Sequence, residues 1–272
     1  TGYELELGTA LMTHPYHKTD NPVNLLYGGA NTIHVKGGFF ALVQLSPRFG
    51  LEAGVGFRHN SSCRLIVPNA GINSVSCSFG ARYKIGNGAV RPGIHRPAGD
   101  PLNKRFRFSV FAAGGIHRCM AEFNADLLLP PEQRQDSYTP WFKGSVGVDA
   151  VWRYSRVTSS GLQAEIHYLG NIDALKRSDE ALYGPGERSY SPVAPGLAVI
   201  QDLYFGSFTA GVGVGAYMFK KVGIHEDHGM LYQKVWLKYY PPSFYGFFAG
   251  ICLRAHKFNQ ADYLEFSIGK II

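Results

Sequence analysis

The sequence predicts an all-β fold: a closed antiparallel transmembrane β-barrel of about 12 strands with both termini periplasmic. Three observations predict it. Apolar and polar residues alternate with period two through most of the 272 residues. The alternating segments run about 9–13 residues, the length a tilted strand needs to cross a bilayer. The connections alternate between short turns and long loops, as on the periplasmic and outer sides of such barrels.

Composition agrees with that class. The chain has 33 Gly, is 14% aromatic and only 17% charged, which is glycine-rich and charge-poor for a soluble protein. No run of about 18 apolar residues offers a transmembrane helix. The absence of an initiator Met and of a signal-peptide pattern suggests a processed or trimmed mature product. The net charge of +7 reads as a solvated surface or as attraction to anionic lipid headgroups. No basic run with interleaved aromatics stands out, so nucleic acid is not an expected partner. Residues 1–272 are expected to form a single outer-membrane domain.

The elements follow in chain order. Tyr3–Met12 and Ile33–Leu45 read as strands with the least regular alternation. Leu51, Ala53, Val55 and Phe57 make one face of the third strand, and His59 and Ser61 continue that face. The fourth strand starts near Ile72, with Val75, Cys77, Phe79, Ala81 and Tyr83 on its apolar face and Asn73 extending that face backwards. The remaining strands are Arg105–His117, Phe142–Tyr154, Gly161–Leu169, Gly196–Tyr204, Phe208–Met218, Leu231–Tyr239, Phe247–His256 and Ala261–Ile272. Their alternation places Phe106, Val148, Trp152, Val212 and Leu264 outward and Arg107, Asp149, Glu165 and Glu265 inward. No amphipathic helix of ordinary length competes with them.

A soluble β-sandwich also alternates, but its strands are usually shorter and its polar face meets bulk water. Here the polar face is thin in Lys and Glu and rich in Gly and Ser, which suits a crowded lumen. Tyr83, Tyr154, Tyr168, Tyr239 and Tyr240 gather at strand ends, as an interfacial girdle would. With the first strand running outward, short turns at Ser46–Gly50 and Pro241–Gly246 fall on the periplasmic side. The long loops Thr13–Thr32, Arg118–Trp141 and Asn171–Pro195 fall outside. His59 then ends an outward strand at the extracellular rim.

The candidate chemistry follows from that parity. If the apolar face meets lipid, His59, Ser61 and Asn73 meet the outer-leaflet headgroups. His59 and Ser61 are two apart on one strand, about 6–7 Å at Cα, within reach for imidazole to take the serine proton. Asn73 begins the neighbouring strand and is placed to hold the imidazole in one tautomer. Backbone N–H groups around Ser62–Arg64 are candidate oxyanion donors. The bland alternative is that hydroxyls, amides and histidines are ordinary at a barrel rim.

These residues carry a resemblance. His59-Asn60-Ser61-Ser62, Pro68-Asn69-Ala70-Gly71-Ile72-Asn73 and Gly80-Ala81-Arg82-Tyr83 resemble the outer-membrane lipid A 3-O-deacylase (PagL-type) family, whose Bacteroidetes-like members are labelled acyloxyacyl hydrolases. Ala255-His256-Lys257-Phe258, Ala261-Asp262 and Glu265 are similar to the C-terminal end of the latter. The resemblance implies that His59 is the general base and Ser61 the nucleophile, acting on lipid A or another outer-leaflet lipid without metal or cofactor. Two positions depart from the family pattern. Ser62 stands where the family has Asn, and Asn73 stands where the best-studied branch has Glu. Twelve strands also exceed the eight of the small deacylases.

Those departures, and long loops that offer surface to protein partners, motivate a second reading: a non-catalytic barrel subunit of an outer-membrane complex. A passive channel is a third, with a lumen narrowed by Arg105, Arg107, Lys143, Arg153, Lys234 and Arg254. His256, Asp262 and Glu265 offer cation ligands or partners for Arg254, with pairing favoured. His14, His17, His225, Asp227 and His228 lie in loops with loose metal-ligand chemistry. Cys63 and Cys119, each following a strand end, are a possible disulfide.

Overall fold

Period-two alternation becomes twelve strands in the computed structural model, which describes residues 1–86, 100–257 and 260–272. They are β1 (Gly2–Leu11), β2 (Asn31–Gln44), β3 (Phe49–Ser61), β4 (Ile72–Tyr83), β5 (Phe106–Arg118) and β6 (Pro140–Arg153). Then come β7 (Thr158–Leu169), β8 (Val193–Phe205), β9 (Phe208–Tyr217), β10 (Leu231–Tyr239), β11 (Phe247–His256) and β12 (Gln260–Ile271). Two helices, α1 (Met120–Asp126) and α2 (Ile172–Tyr183), lie inside two of the long loops. Sequence periodicity passed over both. α1 is under two turns, and α2 buries only a narrow stripe of Ala174, Leu175, Ser178 and Asp179.

Closure corrects the expectation of a twelve-stranded ring. The closed antiparallel barrel has eight strands, β5 to β12, sealed where β12 pairs β5 from Phe266↔Gly114 to Ile271↔Ser109. β1 to β4 form a four-stranded sheet of their own, in chain order. Alternation reports which face of a strand is apolar; it is silent on which distant strand completes the ring. The chain accordingly gathers into two compact units. One holds Thr1–Ser62 and the β4 segment from Pro68; the other holds Cys63–Val67 and the chain from β5 onward.

Within the barrel the two faces divide as the alternation predicts. Phe106, Val148, Trp152 and Val212 are exposed on the outside, while Arg107, Asp149, Glu165 and Glu265 are buried; Leu264 is half-buried. The interior is packed with paired charges and large rings. Arg254 sits 3.3 Å from Glu165 and 3.0 Å from Glu265, Lys234 lies 2.8 Å from Glu165, and Lys143 lies 2.9 Å from Asp262. Each charge in these pairs thus meets an opposite one, the condition under which a charge tolerates burial. The glycines on the inner face of β9 make room for rings. A Cβ at Gly211 would overlap Trp236, and one at Gly215 would overlap Tyr232.

The sheet unit also has one apolar and one polar face. Phe39, Val55, Phe57, Val75 and Phe79 are exposed on the first. On the second, Lys36 lies 2.6 Å from Glu4 and 3.0 Å from Glu6. The possible disulfide is not formed. Cys63 and Cys119 are both buried and are not joined by a disulfide, and burial pushes the Cys119 thiol up to about 12, so it stays protonated.

Candidate active site

All three residues singled out at the rim lie in the sheet unit, on β3 and β4. The register pairs His59 directly with Asn73, and the neighbouring pairs are Phe57↔Val75 and Asn60↔Ile72. Directly opposed side chains on one face of an antiparallel pair lie close enough to touch. Here they bond: His59 Nδ1 lies 2.6 Å from Asn73 Oδ1. An amide oxygen only accepts, so Nδ1 donates and a neutral ring keeps its lone pair on Nε2. His59 Nε2 is buried, with no hydrogen-bond partner among the described residues.

Ser61 ends β3 two residues further on. Its surroundings differ from the expected open lipid-facing position, because the side chain is only 1% exposed. The reason is the connection between β3 and β4, which folds back over the strand end. Asn69, in that connection, brings its amide onto the serine. Ser61 Oγ lies 3.1 Å from Asn69 Oδ1, and Asn69 Nδ2 lies 2.9 Å from Ser61 Oγ. The Ser62 N–H donates to Asn69 Oδ1 at 2.8 Å, which fixes the amide with its NH2 toward the serine. The Ser62 N–H proposed from sequence as an oxyanion donor is therefore committed to Asn69.

Gly71 explains how histidine and serine come side by side. Its φ is +69°, a conformation that L-residues other than glycine rarely adopt. A Cβ there would lie 2.9 Å from the Asn60 carbonyl oxygen and 3.5 Å from both His59 Cε1 and Ser61 Cβ. The bare glycine backbone thus lies against the imidazole edge and the serine methylene at once. The β1–β2 loop steadies this stretch, since the Ala70 and Gly71 N–H groups donate to the Leu25 and Leu26 carbonyls at 3.2 and 3.1 Å. Asn69 stood in the sequence as the second residue of Pro68-Asn69-Ala70-Gly71. Its side-chain role rests on the fold of a loop, which no periodicity encodes.

The weaker candidates have structural partners. Glu265 accepts from Tyr263 Oη at 2.6 Å as well as from Arg254, Asp262 takes Lys143, and His256 Nε2 lies 3.2 Å from Tyr217 Oη. Phe258, part of the C-terminal resemblance, lies outside the described residues. In the β9–β10 loop, His225 Nε2 lies 2.7 Å from Asn124 Nδ2, and Glu226 takes both short bonds from one Arg64 nitrogen at 2.7 and 2.8 Å. In the β1–β2 loop, His17 Nδ1 lies 3.0 Å from Thr19 Oγ1.

Comparison with known proteins finds the family model for the acyloxyacyl hydrolase C-terminal domain matching residues 106–270. That span runs from the start of β5 to the end of β12, the closed barrel. No curated protein matches the sequence. Among solved structures, a chain from work on in-meso crystallization of membrane proteins is 12% identical, with 100% of this chain and 83% of that chain covered and a TM-score of 0.27. A triple mutant of Rh. blastica porin is 8% identical, with 100% of each chain covered and a TM-score of 0.23. The NanC porin is 8% identical, with 87% of this chain and 91% of that chain covered and a TM-score of 0.26. Likeness at these scores carries no weight for fold or function.

Proposed function

The chain belongs to the acyloxyacyl hydrolase family, and from that premise we propose that it is an outer-membrane esterase removing an acyl chain from lipid A or a related outer-leaflet lipid. Ser61 is the nucleophile, His59 the general acid–base, Asn73 the group that orients the imidazole, and Asn69 the donor to the oxyanion. One observation carries the reading: Asn73 accepts the Nδ1 proton of His59 in a 2.6 Å hydrogen bond and leaves Nε2 as an unengaged base two residues before Ser61 on the same strand. Both termini face the periplasm in this reading, and residues 1–272 act as one outer-membrane domain.

The steps follow from the donors and acceptors present. Breaking the Ser61–Asn69 bond frees both groups: the hydroxyl turns to His59 Nε2, and the Asn69 NH2 is left pointing where an acyl oxygen gathers charge. Ser61 Oγ attacks the ester carbonyl as its proton passes to Nε2. The tetrahedral intermediate collapses to an acyl-serine, and the sugar alkoxide leaves with the proton from Nε2. Water repeats the sequence, with His59 as base, and releases the fatty acid.

Mass spectrometry of lipid A tests the reading. Cells carrying the wild-type chain should show lipid A species lighter by one acyl group, and cells carrying Ser61→Ala or His59→Ala should not. Unchanged acylation with a folded wild-type barrel in a membrane bearing its native lipid would overturn the esterase reading and favour a non-catalytic subunit.

A further inference from the structure

The short-turn end of the closed barrel carries a cationic pocket that ester chemistry does not use. Short turns join β6 to β7, β8 to β9 and β10 to β11 at this end. The pocket measures about 450 Å³ and is lined by Asn103, Arg105, Arg153, Tyr154, Ser155 and Arg156. All six belong to the barrel unit. Three guanidinium groups around one depression repel each other unless an anion joins them.

Arg153 builds the pocket. Its guanidinium donates to the Leu102 carbonyl at 2.8 Å, to the Ser155 carbonyl at 3.1 Å and to the Arg156 carbonyl. The same group lies 4.4 Å from the Tyr204 ring. The Arg153 N–H donates to the Arg105 carbonyl at 2.7 Å. One half-buried side chain thus ties the 3-10 turn Pro101–Asn103, which precedes β5, to the turn between β6 and β7. Walls held in advance leave little ordering to be done on binding.

Arg105 and Arg156 are placed differently. Both are exposed, and among the described residues neither side chain makes a hydrogen bond or ion pair. Arg105 lies 5.6 Å over the Trp152 ring, within cation–π range. Trp152 stacks on Phe106 at 6.2 Å and meets Tyr154 edge-on at 6.1 Å. These three exposed rings stand where β5 begins and β6 ends. Further along the same two strands the exposed outer residues are Phe108, Val110, Val148 and Val146. Rings at the edge of an apolar band mark the level where hydrocarbon gives way to headgroups. The two unengaged guanidinium groups lie beside those rings.

We propose that this pocket is a phosphate site that takes the phosphodiester of an anionic phospholipid, with the lipid's acyl chains lying along Phe106 and Trp152. A planar guanidinium matches two phosphate oxygens at once, and two of them here have N–H groups to give. A free phosphate would use the same arginines and leave the aromatic shelf without a role. An amphiphile uses both.

The test places the full chain in phosphatidylcholine vesicles containing phosphatidylglycerol brominated on its acyl chains. Bromine quenches tryptophan on contact, and Trp152 is the reporter. Trp152→Phe gives the background from the other two tryptophans, Trp141 and Trp236, to be subtracted. Heat-modifiable gel mobility confirms that each variant is folded. Quenching should show roughly ten-fold preference for brominated phosphatidylglycerol over brominated phosphatidylcholine. Arg105→Gln and Arg156→Gln should each lower that preference about five-fold, the share of one arginine near a membrane surface. Lys270, 4.9 Å over the Phe247 ring, is a cation of β12 outside the pocket, and Lys270→Gln should leave the preference within about two-fold. Inorganic phosphate on both sides of the bilayer should not relieve the quenching. Relief by inorganic phosphate would assign the site to a free phosphate and overturn the lipid assignment. Equal quenching by the two lipids, an unchanged preference in the folded arginine variants, or an equal loss in Lys270→Gln would each overturn the site itself.

Discussion

At the scale of single residues, Asn69 and Asn73 make different contributions although both are amides. Asn69 Nδ2 lies 2.9 Å from Ser61 Oγ, and in the proposed mechanism it donates to the carbonyl oxygen of a bound ester as that oxygen gathers charge. Removing one such donor costs about 10²–10³-fold in kcat in acyl-transfer enzymes, so Asn69→Ala should fall in that range with little change in KM. In the proposed mechanism Asn73 acts at one remove, through the His59 tautomer. Asn73→Ala should lower turnover by less than Ser61→Ala, and Asn73→Glu should retain or raise it, since a carboxylate accepts the same Nδ1 proton and stabilises the imidazolium. Steady-state kinetics on the four purified variants, normalised to folded protein, checks the order. A loss in Asn73→Ala as large as in Ser61→Ala would mean that the His59–Asn73 bond is holding the strand pair together.

At the scale of elements, the β9–β10 loop and the β3–β4 connection share the Arg64–Glu226 pair. Burial alone would raise the Glu226 carboxyl; Arg64, then His228 and Lys143, outweigh it and hold it well below the usual carboxylate range. Burial alone would likewise lower the Arg64 guanidinium, and Glu226 and Asp262 outweigh it. A depressed carboxyl contributes stability that is complete above its unfolded value and fades as pH falls through its folded value. Protection of the 63–67 amides, corrected for intrinsic exchange, should hold between about pH 7 and about pH 5. It should begin to fall only below about pH 4, under the ordinary glutamate range. In Glu226→Gln that acid-dependent step should vanish, with protection low throughout. Arg64→Ala should be worse for stability than the loss of one surface pair, by about 3–5 kcal/mol, because it strands a buried carboxylate.

At the scale of the whole molecule, the outward apolar band and the charged interior make the membrane environment a measurable term. Val148 is exposed on the barrel exterior beside the buried Asp149. Val148→Arg should destabilise the barrel in phospholipid vesicles by about 2–4 kcal/mol if the position lies near the midplane, read as a shift in the urea unfolding transition. The same substitution in a polar detergent rim should cost far less. A cost near zero in vesicles would mean that this face does not meet hydrocarbon.

The sequence by itself determined most strand faces, Ser61 being an exception that its loop buries. Period-two alternation put Phe106 and Val212 outside and Arg107 and Glu165 inside, and the shared parity of His59 and Asn73 foretold their pairing across β3 and β4. These are local properties, written in a repeat of two residues. The tertiary structure decided what depends on contacts between distant residues. Closure after eight strands rests on β12 meeting β5, more than a hundred residues apart, and alternation holds no record of that choice. The seating of Asn69 on Ser61, the pairing of Arg64 with Glu226 and the lack of a Cys63–Cys119 disulfide all arise in loops. Loop backbones follow no period, so side chains that look unremarkable in sequence become partners only once the strands they join are fixed.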